Sequence, residues 1–170
     1  MVEIEEGLLV FRFDTALAGK YDDWSFYRNQ FNSAFGGTKA VDMICLDSTA
    51  VWLIEVKDYR GHTRTKPTDL GDEVAAKVRD TLAGLLAARF NANDSEEKKL
   101  AKAVAQRKEL RVVLHLEQPA KHSKLRRRAI EPADVQQKLR QLLKAVDPHP
   151  RVVERATTRA EMPWMVEDKS

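Results

Sequence analysis

The chain has 170 residues, 43% hydrophobic and 32% charged, with 29 Lys/Arg against 26 Asp/Glu for a net charge of +3. That length suits one domain that buries about 70% of its unfolded-chain surface, and the composition is that of a folded globular protein. A single cysteine, Cys45, excludes an internal disulfide framework and a cysteine-based zinc site. No apolar run approaches the ~18 residues of a membrane helix, and the acidic start Met1–Glu6 lacks the form of a signal peptide. A cytoplasmic location, with no membrane partner, is the expectation. Residues 1–60 carry 6 Lys/Arg against 10 Asp/Glu, whereas residues 61–170 carry 23 against 16. An acidic half beside a basic half suits a protein that holds cations and meets a polyanion.

Leu8–Phe13 reads as a strand. Asp22 and Asp23 open an aromatic helix over Tyr21–Ala34, with Trp24, Tyr27 and Phe31 at helical spacing and Gly36-Gly37 as its stop. Two apolar runs follow, Ala40–Leu46 and Val51–Lys57, folded on each other by a turn at Asp47-Ser48-Thr49. Side chains alternate along a strand, so Glu55 and Lys57 share a face and Val56 points to the other. Cys45 lies on the face opposite Asp42, where a buried, inert thiol is expected. Burying unpaired charge costs several kcal/mol, so Asp42, Glu55 and Lys57 need a reason to stand in apolar strands. An ion pair at a solvated edge is the plain alternative. The apolar neighbours on both sides of Asp42 and Glu55 argue against it, because an edge strand alternates more cleanly. Two carboxylates that hold a divalent cation beside one ammonium supply the reason.

Downstream, Asp58–Asp69 is a loop carrying Arg60, His62, Arg64 and Lys66 directly off the hairpin, as a solvated loop or as a set of phosphate contacts. Asp72 is the expected N-cap of a helix to about Phe90, with Val74, Val78, Leu82 and Leu85 on one face and Lys77 beside them. A weaker helix spans about Glu96–Lys108. Leu110–Leu116 is dense enough in apolar residues for an interior strand, and His115 within it reads as a satisfied core or edge histidine. Lys121, Lys124, Arg126, Arg127 and Arg128 form a basic run, either a solvated face or a backbone-phosphate contact. Pro132 starts a helix whose stripe is Val135, Leu139, Leu142 and Val146, and Arg151–Glu154 is a short peripheral strand. One domain over residues 1–160 precedes a tail, 161–170, in which Pro163-Trp164-Met165 docks, mediates self-association such as a homodimer, or stays disordered.

Asp42 in one apolar strand and Glu55-Val56-Lys57 in the next resemble the PD-(D/E)xK nuclease superfamily. The continuation Asp58-Tyr59-Arg60-Gly61 is closest to its nuclease-related domain branch. The resemblance is carried by about residues 38–62, and by element order elsewhere. It implies an α/β restriction-endonuclease-like sandwich, a mixed central β-sheet flanked by helices. It further implies a metal-dependent nuclease hydrolysing phosphodiester bonds in nucleic acid, DNA rather than RNA, with little sequence specificity. Asp42, Glu55 and the Val56 carbonyl would hold Mg²⁺ or Mn²⁺, and Lys57 would act on the chemistry. Arg60, Arg64, Lys66, Lys77 and the basic run would hold the nucleic acid. Two departures stand out. Val41 replaces the usual Pro, and no Glu stands in the first helix; Asp22 or Asp23 could substitute for it, although both read as first-turn residues favouring the helix dipole. The missing Glu supports the alternative, a catalytically inactive nuclease-fold module that binds nucleic acid or a protein partner. No Gly-rich phosphate loop and no nucleophile elbow point to another hydrolase class.

Overall fold

The computed structural model describes residues 1–119 and 130–170. Its centre is a five-stranded mixed sheet in the order β3-β4-β5-β6-β7, built from β3 (Ala18–Lys20), β4 (Met43–Leu46), β5 (Ala50–Asp58), β6 (Glu109–Glu117) and β7 (Arg151–Val153). β4 pairs antiparallel with β3 and with β5, and β6 runs parallel to both β5 and β7. The parallel pairs need crossover connections. α2 (Leu70–Asn91) and α3 (Ser95–Val104) cross from β5 to β6, and α4 (Pro132–Leu143) from β6 to β7. Both crossovers step the same way across the sheet, so a common handedness puts all three helices on one face. Ile44, Leu46, Val51, Leu53, Val112 and Leu114 are buried on that face against Val74, Val78, Leu85, Leu139 and Leu143. Each such side chain contributes about 1.5–3 kcal/mol when fully buried.

A second sheet, in the order β1-β2-β8, covers the other face. It consists of β1 (Val2–Glu6), β2 (Leu9–Phe13) and β8 (Trp164–Asp168), all antiparallel. Phe11, Phe13, Trp164 and Val166 meet Met43, Cys45, Ile54 and Val113 there. The helices expected to flank the mixed sheet therefore cover one face, and the opposite face carries β-structure. α5 (Arg155–Glu161) leads into β8, with Thr158 Oγ1 3.5 Å from His115 Nδ1. The segment set apart as a tail, 161–170, thus supplies β8 and docks through its backbone on β2.

Two further expectations change. The helix read over Tyr21–Ala34 is broken into a 3-10 turn at Tyr21–Asp23, α1 (Ser25–Asn29) and a 3-10 segment at Phe31–Gly36. Trp24 is extended at φ −57°, ψ 136° and Phe35 is left-handed at φ 56°, so the helix cannot run through either. The helix expected to begin at an Asp72 cap instead starts one turn earlier, where the Asp69 side chain accepts from the Asp72 backbone N–H. The strand beside the Asp42 run is β3, and the strand read at Leu8–Phe13 is β2 of the second sheet. Cys45 is buried as expected, and burial pushes its thiol up to about 12. Among the described residues no helix is long and apolar enough to cross a membrane.

Candidate active site at the β4–β5 ladder

The β4–β5 register pairs Met43 with Ile54. Continued by one residue, it puts Asp42 opposite Glu55, on the same face of the sheet. Asp42 is held there from two sides. Its carbonyl accepts from the Tyr21 N–H at 2.9 Å, and its carboxylate Oδ2 accepts from the Val56 N–H at 2.7 Å. Val56 itself packs on the opposite face, with Ile54 and Cys45. Burial, and then the negative charge of Glu55, push the Asp42 carboxyl up to about 8. Without a compensating cation this group favours its neutral form.

Glu55 is completely buried. Its Oε1 receives two ammonium groups, Lys77 Nζ at 2.6 Å and Lys57 Nζ at 2.9 Å. Its Oε2 is buried without a hydrogen-bond partner among the described residues. Lys57, one pleat further along β5, also reaches Glu73 at 3.2 Å. Burial alone would depress Lys57, but the Glu55 and Glu73 carboxylates outweigh it and hold the ammonium protonated.

Glu73, in the first turn of α2, was not singled out in the sequence. It is 3% exposed and gathers Lys57, Arg64 at 2.6 Å and Lys66 at 3.0 Å. Burial opposes its charge, yet the Lys66 and Arg64 contacts with the nearby Lys57 bring its carboxyl down to about 2. The one signal in the sequence was spacing: Glu73 and Lys77 are four apart on α2, so both face the hairpin.

Two further acidic residues lie close to Asp42. Asp22, in the 3-10 turn that follows β3, brings a carboxylate oxygen within 4.8 Å of ligand atoms on Asp42 and Glu6. Burial, and then Glu6, push its carboxyl up to about 6, and its Oδ1 is buried without a partner among the described residues. Asp23, by contrast, is exposed and lies 3.8 Å from Lys20.

The expected phosphate contacts fare unevenly. Lys77 joins the site through Glu55 rather than standing free. Arg60 lies against Asp58 at 2.7 Å and Asp168 at 2.7 Å, tying the loop to β8. Arg64 is turned inward to Glu73, Tyr59 Oη and the Thr68 carbonyl. Lys66 keeps 63% of its side chain exposed. Lys121, Lys124, Arg126, Arg127 and Arg128 lie outside the described residues. His115 is the satisfied core histidine, with Nε2 2.9 Å from Glu117 Oε1.

The donor set suits a hard divalent cation. Carboxylate oxygens from Glu6, Asp22 and Asp42 lie within 4.8 Å of one another, the Glu55 carboxylate stands across the ladder on the same face, and no sulfur joins them. Asp22 Oδ1 and Glu55 Oε2 are buried without a hydrogen-bond partner among the described residues.

Comparison with known proteins gives one partial likeness. The chain is 33% identical over 156 residues to a cysteine–tRNA ligase of Neisseria meningitidis serogroup A / serotype 4A (strain DSM 15465 / Z2491). The match takes in 74% of this chain and 22% of that relative, so the chain spans about a fifth of the relative's length. No family model matches, and no solved structure matches.

Proposed function

We propose that the chain is a divalent-metal-dependent nuclease of the restriction-endonuclease-like class, hydrolysing phosphodiester bonds in nucleic acid. The observation that carries this reading is Asp42 facing Glu55 across one ladder, with Lys57 bonded to Glu55. The order of elements supports it as well: an antiparallel β3-β4-β5 set, then a helix, then β6 parallel to β5.

Asp42 and Glu55, with Asp22 and the Val56 carbonyl beside them, are the residues to hold Mg²⁺ or Mn²⁺. Such an ion, when bound, lowers the pKa of a coordinated water and neutralises charge on the phosphate. Lys57 orients the attacking water or donates to a phosphoryl oxygen as charge develops there. Glu55 and Glu73 restrict the Lys57 side chain to one position, so little reorganisation is needed at the moment of reaction. The half-buried setting keeps bulk water from screening these charges. Lys66, and Arg64 once released from Glu73, are within reach of the nucleic-acid backbone.

The relative's name couples cysteine to tRNA. Ligation is not proposed for a chain that spans 22% of that protein, but the name makes RNA a substrate to test beside DNA. Labelled single- and double-stranded DNA and RNA, incubated with Mg²⁺ or Mn²⁺, decide the matter. The expected result is cleavage that EDTA and Glu55→Gln both abolish. Metal-independent binding with no cleavage of any substrate would favour the inactive nucleic-acid-binding module instead.

A further inference from the structure

The loop leaving β5 borders an open cleft of about 280 Å³ whose lining includes Lys57, Tyr59, His62, Thr63, Arg64 and Lys66. That is at the small end of ligand sites, which run from about 300 Å³ upward, and suits one nucleotide rather than a longer segment. Its walls are of two kinds. Tyr59 is half-buried against the helix-side core, and Arg64 Nη1 donates to its hydroxyl at 3.0 Å, which fixes the ring. His62 is exposed, and its ring meets Tyr59 at 5.7 Å between centroids and 83° between planes. Two rings at a right angle form a corner in which a flat group can stack on one wall. The rest of the lining is Val56, three cations (Lys57, Arg64 and Lys66), the hydroxyls of Thr63 and Thr65, and Asp58, whose charge Arg60 offsets at 2.7 Å; cations and hydroxyls are the groups that meet a phosphate and a sugar. Lys57 belongs both to this lining and to the site at Glu55.

We propose that this cleft receives one unpaired nucleotide next to the scissile phosphate, so that the substrate is single-stranded or frayed nucleic acid. The position of the scissile phosphate rests on the nuclease reading above; the nucleotide pocket itself does not. A base locked in a duplex must be unstacked before it can enter, at a cost of a few kcal/mol, whereas an unpaired base enters without that cost. Stacking on aromatic rings tolerates any base, so the pocket selects strandedness and not sequence.

The test uses the full chain, a fluorescent oligothymidylate and a hairpin duplex with the same number of phosphates. Affinity is measured by anisotropy with Ca²⁺ and cleavage with Mn²⁺. His62→Ala removes an exposed wall without touching the core. Tyr59→Phe is the control that keeps the ring. Single-strand binding should exceed duplex binding about five-fold or more, the factor equivalent to the lower end of one base–aromatic stack, ~1 kcal/mol. His62→Ala should erase most of that preference and Tyr59→Phe should retain it. Equal affinity for both substrates, or a preference untouched by His62→Ala, overturns the pocket, and Mn²⁺-dependent cleavage would still uphold the nuclease reading. A single-strand preference lost in His62→Ala with no cleavage of any substrate would uphold the pocket and sink the nuclease reading.

Discussion

Asp42 stands one residue beyond the Met43–Ile54 pair of the β4–β5 ladder, directly across from Glu55. Both carboxylates are buried, and the negative charge of Glu55 raises the cost of charging Asp42. Proteins keep such pairs where a cation or a shared proton resolves the repulsion. Around this one, Lys57 and Lys77 already neutralise Glu55, while at Asp42 the attraction of Lys77 and the Val56 N–H are outweighed by burial, Glu55 and Glu6. The less compensated negative charge therefore lies at Asp42, where the proposed cation would sit.

Replacing Lys57 by Ala should leave the fold nearly intact and remove cleavage. Glu55 keeps Lys77, and Glu73 keeps Arg64 and Lys66, so neither carboxylate is orphaned. Loss of one preorganised donor costs about 10²–10³ in rate. Rate measurements beside a thermal melt check this, and a variant that cleaves at the wild-type rate would move the chemistry elsewhere.

Lys77→Ala should tighten Mn²⁺ binding several-fold. The Lys77 ammonium lies 2.6 Å from Glu55 Oε1 and competes with a cation for the same charge. Calorimetric titration of Mn²⁺ into both proteins measures the difference. Unchanged or weaker binding would mean that Lys77 orients Glu55 instead of competing for it.

Acid should weaken the fold through Glu73. Its carboxyl titrates at about 2 in the folded chain, against about 4.3 when unfolded. A depressed folded value stabilises above the unfolded one and loses that stability as pH falls from about 4.3 toward 2. The shift corresponds to roughly 3 kcal/mol. Urea denaturation at pH 7 and pH 3 should therefore show a large loss for wild type and a smaller one for Glu73→Gln, which starts less stable at pH 7. Equal losses in both proteins would show that Glu73 is not the acid-sensitive group.

Gly84→Ala should destabilise the protein by about 1–3 kcal/mol. A Cβ on Gly84 would fall 2.0 Å from the Tyr21 hydroxyl and 3.0 Å from Phe31. Tyr21 precedes Asp22 and holds the Asp42 carbonyl, so the same change should weaken Mn²⁺ binding. Denaturation and metal titration read the two effects, and a stable variant with weakened metal binding would separate the helix contact from the site.

The hairpin was legible because two short apolar strands with three charges break a local rule of burial, and strand alternation gives each residue its face. α2, β6 and α4 were legible from their own periodicity. The second sheet was not. β2 pairs with β8 across most of the chain length, Phe13 with Trp164, and no local pattern names so distant a partner. β1 alternates acidic and apolar residues too briefly to separate from a polar terminus. The aromatic helix misled because Trp24, Tyr27 and Phe31 have helical spacing, yet Trp24 and Phe35 adopt backbone angles that interrupt it. Glu73 stayed hidden because its partners, at positions 57, 64 and 66, come to it only through the turn from β5 into α2.

The most direct test is the anomalous difference density of crystals soaked in Mn²⁺. A single peak is expected within metal–oxygen distances of about 2.0–2.6 Å from both the Asp42 and Glu55 carboxylates, and it should vanish in Asp42→Asn. Crystals saturated with Mn²⁺ that show no peak there, with Lys77 still bonded to Glu55, would contradict a metal-dependent nuclease site.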